Sequence, residues 1–182
     1  PIVRVVDPDL TMRMTEWVVL QVLLHHRRQL AYLDQQQHRV WRELPQPPAS
    51  AVRIGIMGLG ELGRASATVL ASLGFDVAGW SRAPKSLAGI GTFAGDDVLP
   101  AFLARTDILV VLLPLTNATR GMIDAKLLAG LARDGALGGP VLINGGRGGL
   151  QVEGDILAAI DAGTVIGASL DVFAEEPLPA TS

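Results

Sequence analysis

Gly58, Gly60 and Gly63 stand at G-x-G-x-x-G spacing between an apolar run holding Ile54 and Ile56 and a stretch in which Leu62, Val69 and Leu70 recur at helical intervals. At a join of strand and helix, the first glycine allows a tight turn and the second lets backbone approach a pyrophosphate. The third lets the helix pack on the sheet. The helix N-terminus adds free N–H groups and partial positive charge, so the chemistry is that of dinucleotide binding. A tight turn with no ligand is the plain alternative for an isolated motif. Sites that take NAD usually carry Asp or Glu about 20 residues further on, where it holds the ribose hydroxyls. Here the second apolar run, FDVAGW, is followed by Ser81 and Arg82, with Lys85 in reach. A carboxylate would repel a 2′-phosphate, whereas a hydroxyl and a guanidinium can donate to it. The expected cofactor is therefore NADP(H), with NAD as the second choice. Arg82 and Lys85 as ordinary solvated loop cations are the competing reading.

These residues need a scaffold, and the chain offers one. Short β-rich runs are predicted at 52–57, 76–80, 91–93, 108–113, 140–144 and 165–170, alternating with helices near 61–73, 96–105, 124–133 and 153–162. Strand, helix, strand at this spacing calls for parallel pairing with right-handed crossovers, which is a doubly wound α/β sheet of the Rossmann type. Ahead of it, residues 10–38 read as one long helix, apolar on nearly all sides from Met12 to Leu24 and richer in Gln and Arg afterwards. ELPQPPAS, residues 43–50, is the linker, because Pro45, Pro47 and Pro48 favour extended backbone. Two units are expected: a leading segment, 1–50, and a dinucleotide-binding domain, 51–182.

Composition narrows the classes. Apolar residues form 49% of 182 and charged residues only 18%, so the chain is globular. A net charge of −3 without a basic run argues against nucleic acid or an anionic membrane surface as partner. There is no cysteine, which excludes disulfides and thiolate metal sites and leans toward the cytoplasm. No metal site is expected. The longest apolar run, Ile108 to Leu115, is broken by Pro114 and is far shorter than the ~18 residues of a membrane span. The chain opens on Pro1 with no signal peptide, which reads as a piece of a longer protein.

In order along the chain, TMRMTEWVVLQVL, VWRELP, GIMGLGELG, GWSRAPKS, LLPLTNATRGMI, INGGRGGLQVEGDILAAIDAG and GASLDVFAEEPLP are similar to stretches of the D-isomer-specific 2-hydroxyacid dehydrogenase family. Within it they resemble the glyoxylate/hydroxypyruvate reductases. The resemblance implies that Arg147 binds the carboxylate and carbonyl of a 2-oxo acid, a role that suits a planar, permanently charged fork. It implies that Glu176 orients the acid/base histidine and that Asp171 contacts the nicotinamide carboxamide. The cofactor contacts expected around the glycine loop are Gly58, Gly60, Glu61, Leu62 and Gly63. Ser81, Arg82 and Lys85 are expected at the ribose end, and Leu113, Pro114 and Gly146 beside Asp171. Without the resemblance, NGGRGG reads as a glycine-rich turn and Glu175 and Glu176 as a solvated acidic turn.

The family's acid/base histidine lies in a T-P-H segment beyond the D-V-F-x-x-E-P stretch, and this sequence ends at Ser182. His25, His26 and His38 fall at the wrong place in the order and read as helix-surface or interface residues. Most of the substrate domain is likewise expected outside this chain. The parent is expected to be an oxidoreductase that reduces 2-oxo acids to D-2-hydroxy acids with NADPH, the chain alone being inactive. The alternative is a dinucleotide-sensing or corepressor-like protein of the same fold. The apolar helix at 12–24 would be costly to expose, so a homodimer with that helix near the interface is expected.

Overall fold

In the computed structural model, which describes residues 7–180, Rossmann-type topology follows from where the apolar residues fall. Strands β1 (Arg53–Met57), β2 (Asp76–Ser81), β3 (Gly91–Ala94), β4 (Ile108–Val111), β5 (Val141–Asn144) and β6 (Gly167–Leu170) form one sheet in the order β3-β2-β1-β4-β5-β6, all pairs parallel. The terminal residues on which the readings of Pro1 and Ser182 rest lie outside the described residues.

The four central strands have no polar face, as a sheet covered on both sides requires. Ile54 and Ile56 point with Ile108, Val110, Val141 and Ile143 into one apolar cluster. The intervening Met57, Leu109, Val111 and Leu142 point into the other. Helix α3 (Glu61–Ser72) contributes Ala67 and Leu70 to the first layer. Phe102 and Leu103 of α4 (Leu99–Ala104), Leu127 and Leu128 of α5 (Ala125–Ala129) and Ile156 of α6 (Glu153–Asp161) fill the second.

The single helix expected over 10–38 is instead two. Helix α1 (Pro8–His26) starts on Asp7, whose carboxylate accepts the N–H groups of Asp9 and Leu10 at 2.9 and 3.3 Å. Helix α2 (Gln29–Gln37) follows a break at Arg28, which adopts φ 52°. The cause is tertiary: Arg28 donates through Nε to the Pro45 carbonyl at 3.1 Å and through Nη2 to the Leu137 carbonyl at 3.0 Å. Those bonds hold the linker and the α5–β5 loop against the helix end, and they outweigh the small cost of one left-handed residue. Nor is α1 covered all round. Val18 and Val22 are buried in the same cluster as Ile54 and Ile56, so α1 completes a layer of the sheet, while Leu10, Met12 and Leu20 stay more than half exposed.

Two elements, β4 and α5, end clearly earlier than predicted. β4 stops at Val111, although Leu112 still donates to Met57 at 2.8 Å, and the chain leaves toward Pro114, which has no N–H to give. Helix α5 stops at Gly130. Among the described residues no helix is long and apolar enough to cross a membrane.

Candidate cofactor and substrate site

The chemistry-bearing residues named from the sequence, the histidines apart, lie at the carboxyl edge of the sheet, on its loops, at the end of β2 and in the first turn of α3, where a parallel α/β fold leaves its crevice. The strand order changes direction between β1 and β4. There Gly58 adopts φ 106°, a conformation side chains rarely take, and its N–H donates to the Trp80 carbonyl at 2.9 Å. A Cβ on Gly63 would collide with the Gly58 carbonyl oxygen, so the helix presses directly on the loop. A Cβ on Gly60 would meet nothing within 4 Å. Gly60 is also the N-cap of α3 and supplies no side-chain acceptor to the first-turn N–H groups. Open space in front of uncapped N–H groups fits a pyrophosphate. Glu61 is exposed in that first turn and Leu62 is half-buried.

Ser81 ends β2 and is buried. Its hydroxyl donates to the Ala83 carbonyl at 2.8 Å, so in this structure it shapes the loop instead of pointing outward as a donor. Arg82 and Lys85 are both exposed. Arg64, from the first turn of α3, reaches the same loop and donates to the Ser86 carbonyl at 3.3 Å. Sequence reasoning missed this third cation, which stands directly after the last motif glycine.

Past β4, Leu113 is half-buried and Pro114 exposed. A Leu113 methyl would lie 3.2 Å from a Cβ on Gly58, and the Leu113 carbonyl 2.8 Å from one on Gly146. The glycine loop, the β4 loop and the β5 loop are thus packed together. Arg147 is exposed on the β5 loop, where Nη1 donates to the Gly146 carbonyl at 2.7 Å, leaving the other donors of the fork for a ligand. Asp171, exposed at the end of β6, donates its backbone N–H to Asn144 at 3.0 Å. Glu176 closes its own turn, with Oε1 accepting from the Phe173 N–H at 2.9 Å.

The histidines are elsewhere, and two are not surface residues. His26 is buried edge-on against Phe75 at 5.0 Å, and its Nδ1 has no partner among the described residues. His25 is 2.9 Å from the Ser169 hydroxyl of β6. Burial holds both imidazoles below their ordinary pKa, with the Arg27 charge adding to the effect on His26, so both favour the neutral form. His38 ends α2, with Nδ1 2.9 Å from the Asp34 carbonyl. No group of three or more metal-ligating side chains exists among the described residues.

Comparison with known proteins agrees with this geometry. The family model described as "D-isomer specific 2-hydroxyacid dehydrogenase, NAD binding domain" matches residues 19–182. Glyoxylate/hydroxypyruvate reductase A of Yersinia enterocolitica is 43% identical over 179 residues, covering 98% of this chain. The chain spans 56% of that relative's length. The crystal structure of an NADPH-dependent glyoxylate/hydroxypyruvate reductase from Sinorhizobium meliloti, with NADP and sulfate, superimposes with a TM-score of 0.97 at 53% identity, over 100% of this chain and 57% of that one. A probable 2-hydroxyacid dehydrogenase from Rhizobium etli, in complex with NADP, HEPES and L(+)-tartaric acid, gives 0.97 at 52% identity over the same shares.

Proposed function

Because the chain belongs to the D-isomer-specific 2-hydroxyacid dehydrogenase family, we propose that it forms the cofactor-binding part of a reductase that converts glyoxylate- or hydroxypyruvate-type 2-oxo acids to D-2-hydroxy acids with NADPH. The observation that carries this reading is the placement of Arg147 at the same sheet edge as an uncapped glycine loop and a β2 end free of carboxylate. When bound, the dinucleotide supplies the hydride.

The chain's own residues do the rest. Gly58, Gly60, Glu61, Leu62 and Gly63 bring backbone to the pyrophosphate, while Arg82 and Lys85 offer positive charge to a 2′-phosphate. Ser81 holds their loop and gains a second role if its hydroxyl turns outward. Leu113, Pro114 and Gly146 wall the nicotinamide end, and Asp171 faces the carboxamide. Arg147 holds the substrate carboxylate with its carbonyl aligned. Glu176 orients the acid/base histidine, which the resemblance puts in sequence beyond residue 182. The named relatives are reductases or dehydrogenases, which favours this reading over a dinucleotide sensor.

Residues 51–182 act as the dinucleotide-binding domain, with residues 1–50 as a leading segment whose α1 completes its core. A two-fold homodimer is part of the proposal, supported by the exposed Leu10, Met12, Leu20, Leu30 and Leu33 of α1 and α2. So is a cytoplasmic location, where NADPH is kept reduced.

Kinetics of the full-length protein test the site. Arg147→Lys keeps the charge and loses the paired donors, so kcat/KM for glyoxylate should fall at least about tenfold while NADPH affinity stays within about threefold. Retention of more than about half the original kcat/KM, a loss under ~0.4 kcal/mol, would remove Arg147 from the site.

A further inference from the structure

We infer that Gln151 is a positioning residue whose side-chain amide, together with that of Asn144, fixes the turn carrying Arg147 against the loop carrying Glu176. The inference rests on the roles proposed for Arg147 and Glu176. Asn144 is fully buried and Gln151 is 6% exposed. Asn144 Oδ1 accepts from the Gly146 N–H at 3.0 Å, and its Nδ2 donates to the Arg147 carbonyl at 3.3 Å and to Gln151 Oε1 at 2.8 Å. Gln151 Nε2 donates in turn to the Val172 carbonyl at 3.1 Å and to Glu153 Oε1 at 3.4 Å. That carboxylate oxygen accepts the Ala174 N–H at 3.0 Å, one residue along from the Phe173 N–H that bonds Glu176.

The chain of bonds is directional. Turning either amide over would set NH2 against a donor and oxygen against an acceptor, so each has one satisfied orientation. The two segments are also in hard contact, because a Cβ on Gly148 would collide with the Phe173 carbonyl. Buried amides are costly unless every polar atom is paired. What the pairing secures is the placement of the Arg147 backbone relative to residues 172–176, on which a carboxylate clamp and a histidine-orienting carboxylate both depend.

The test uses the full-length protein and three variants. Gln151→Leu removes all three bonds of the amide. It should lower kcat/KM for glyoxylate at least about tenfold, with NADPH affinity within about threefold of the original, because a small misplacement of the clamp costs turnover and the phosphate-binding loop is untouched. Gln151→Glu keeps the acceptor toward Asn144 and recovers a donor toward Val172 only when protonated, which the neighbouring Glu153 favours. Its kcat/KM relative to the unmutated enzyme should therefore rise as pH falls. Unaltered turnover by folded Gln151→Leu, whatever its melting temperature, overturns the inference, and so does a flat ratio for Gln151→Glu. If Gln151→Leu does not fold, the pH ratio of Gln151→Glu decides alone. Arg147→Lys, assayed in parallel, separates the two levels. Its loss of activity beside an unaffected Gln151→Leu defeats the inference only, whereas its full activity defeats the reading of the site.

Discussion

In the proposed reading, cofactor choice turns on Arg82. It follows the last residue of β2 and is exposed, on a loop that Ser81 and Arg64 tie down through the carbonyls of Ala83 and Ser86. A guanidinium donates in a fixed fork to phosphate oxygens and makes no comparable gain from ribose hydroxyls. Changing Arg82 to Ala in the full-length protein should therefore shrink the ratio of kcat/KM for NADPH over NADH about tenfold, ~1.4 kcal/mol. Steady-state assays with both cofactors check it, and an unchanged ratio would make Arg82 an ordinary solvated cation. At this scale the sequence was informative where a residue type does one job. A missing acid, a glycine without side chain and a lone arginine in a glycine-rich turn are visible in one dimension. Asn144, Gln151 and Glu153 were not, because a hydrogen-bond chain between segments more than 20 residues apart leaves no local periodicity.

Elements hold these residues in place from the opposite edge of the sheet. Asp107, 1% exposed at the start of β4, accepts the backbone N–H of Arg53 at 2.8 Å and its guanidinium at 2.7 and 3.1 Å. Arg53 also reaches Asp134 at 2.7 Å, and its hydrogen bonds, first to Asp107 and then to Asp134, push its pKa above the usual arginine value. Asp107→Ala removes one partner of a buried pair and strands a strand N–H, so it should destabilise folding by about 3 kcal/mol in urea titrations. NADPH affinity of the folded protein should stay close to the original, since the pair lies at the amino ends of β1 and β4. A loss under about 1 kcal/mol would show that Asp134 alone satisfies Arg53. Strand and helix types were readable from apolar runs and spacing, but the break at Arg28 was not. Its cause is a pair of bonds to Pro45 and Leu137, far along the chain and invisible to helical periodicity.

At the scale of the molecule, the sheet order and the convergence of the glycine loop, β2 end, Arg147 turn and β6 end follow from alternation of strand and helix, which parallel winding makes nearly obligatory. The packing of α1 into the sheet layer was harder to read. Its spread of apolar residues resembled a helix covered on every side, whereas it packs on α3 and the sheet and leaves Leu10, Met12 and Leu20 exposed. We propose that this architecture serves NADPH-dependent reduction of a 2-oxo acid, and the decisive measurement is kcat/KM of the purified full-length protein on glyoxylate with NADPH and with NADH. Turnover with NADPH should be at least about tenfold more efficient than with NADH, ~1.4 kcal/mol of discrimination. Equal use of the two cofactors, or no glyoxylate reduction with either, would contradict it.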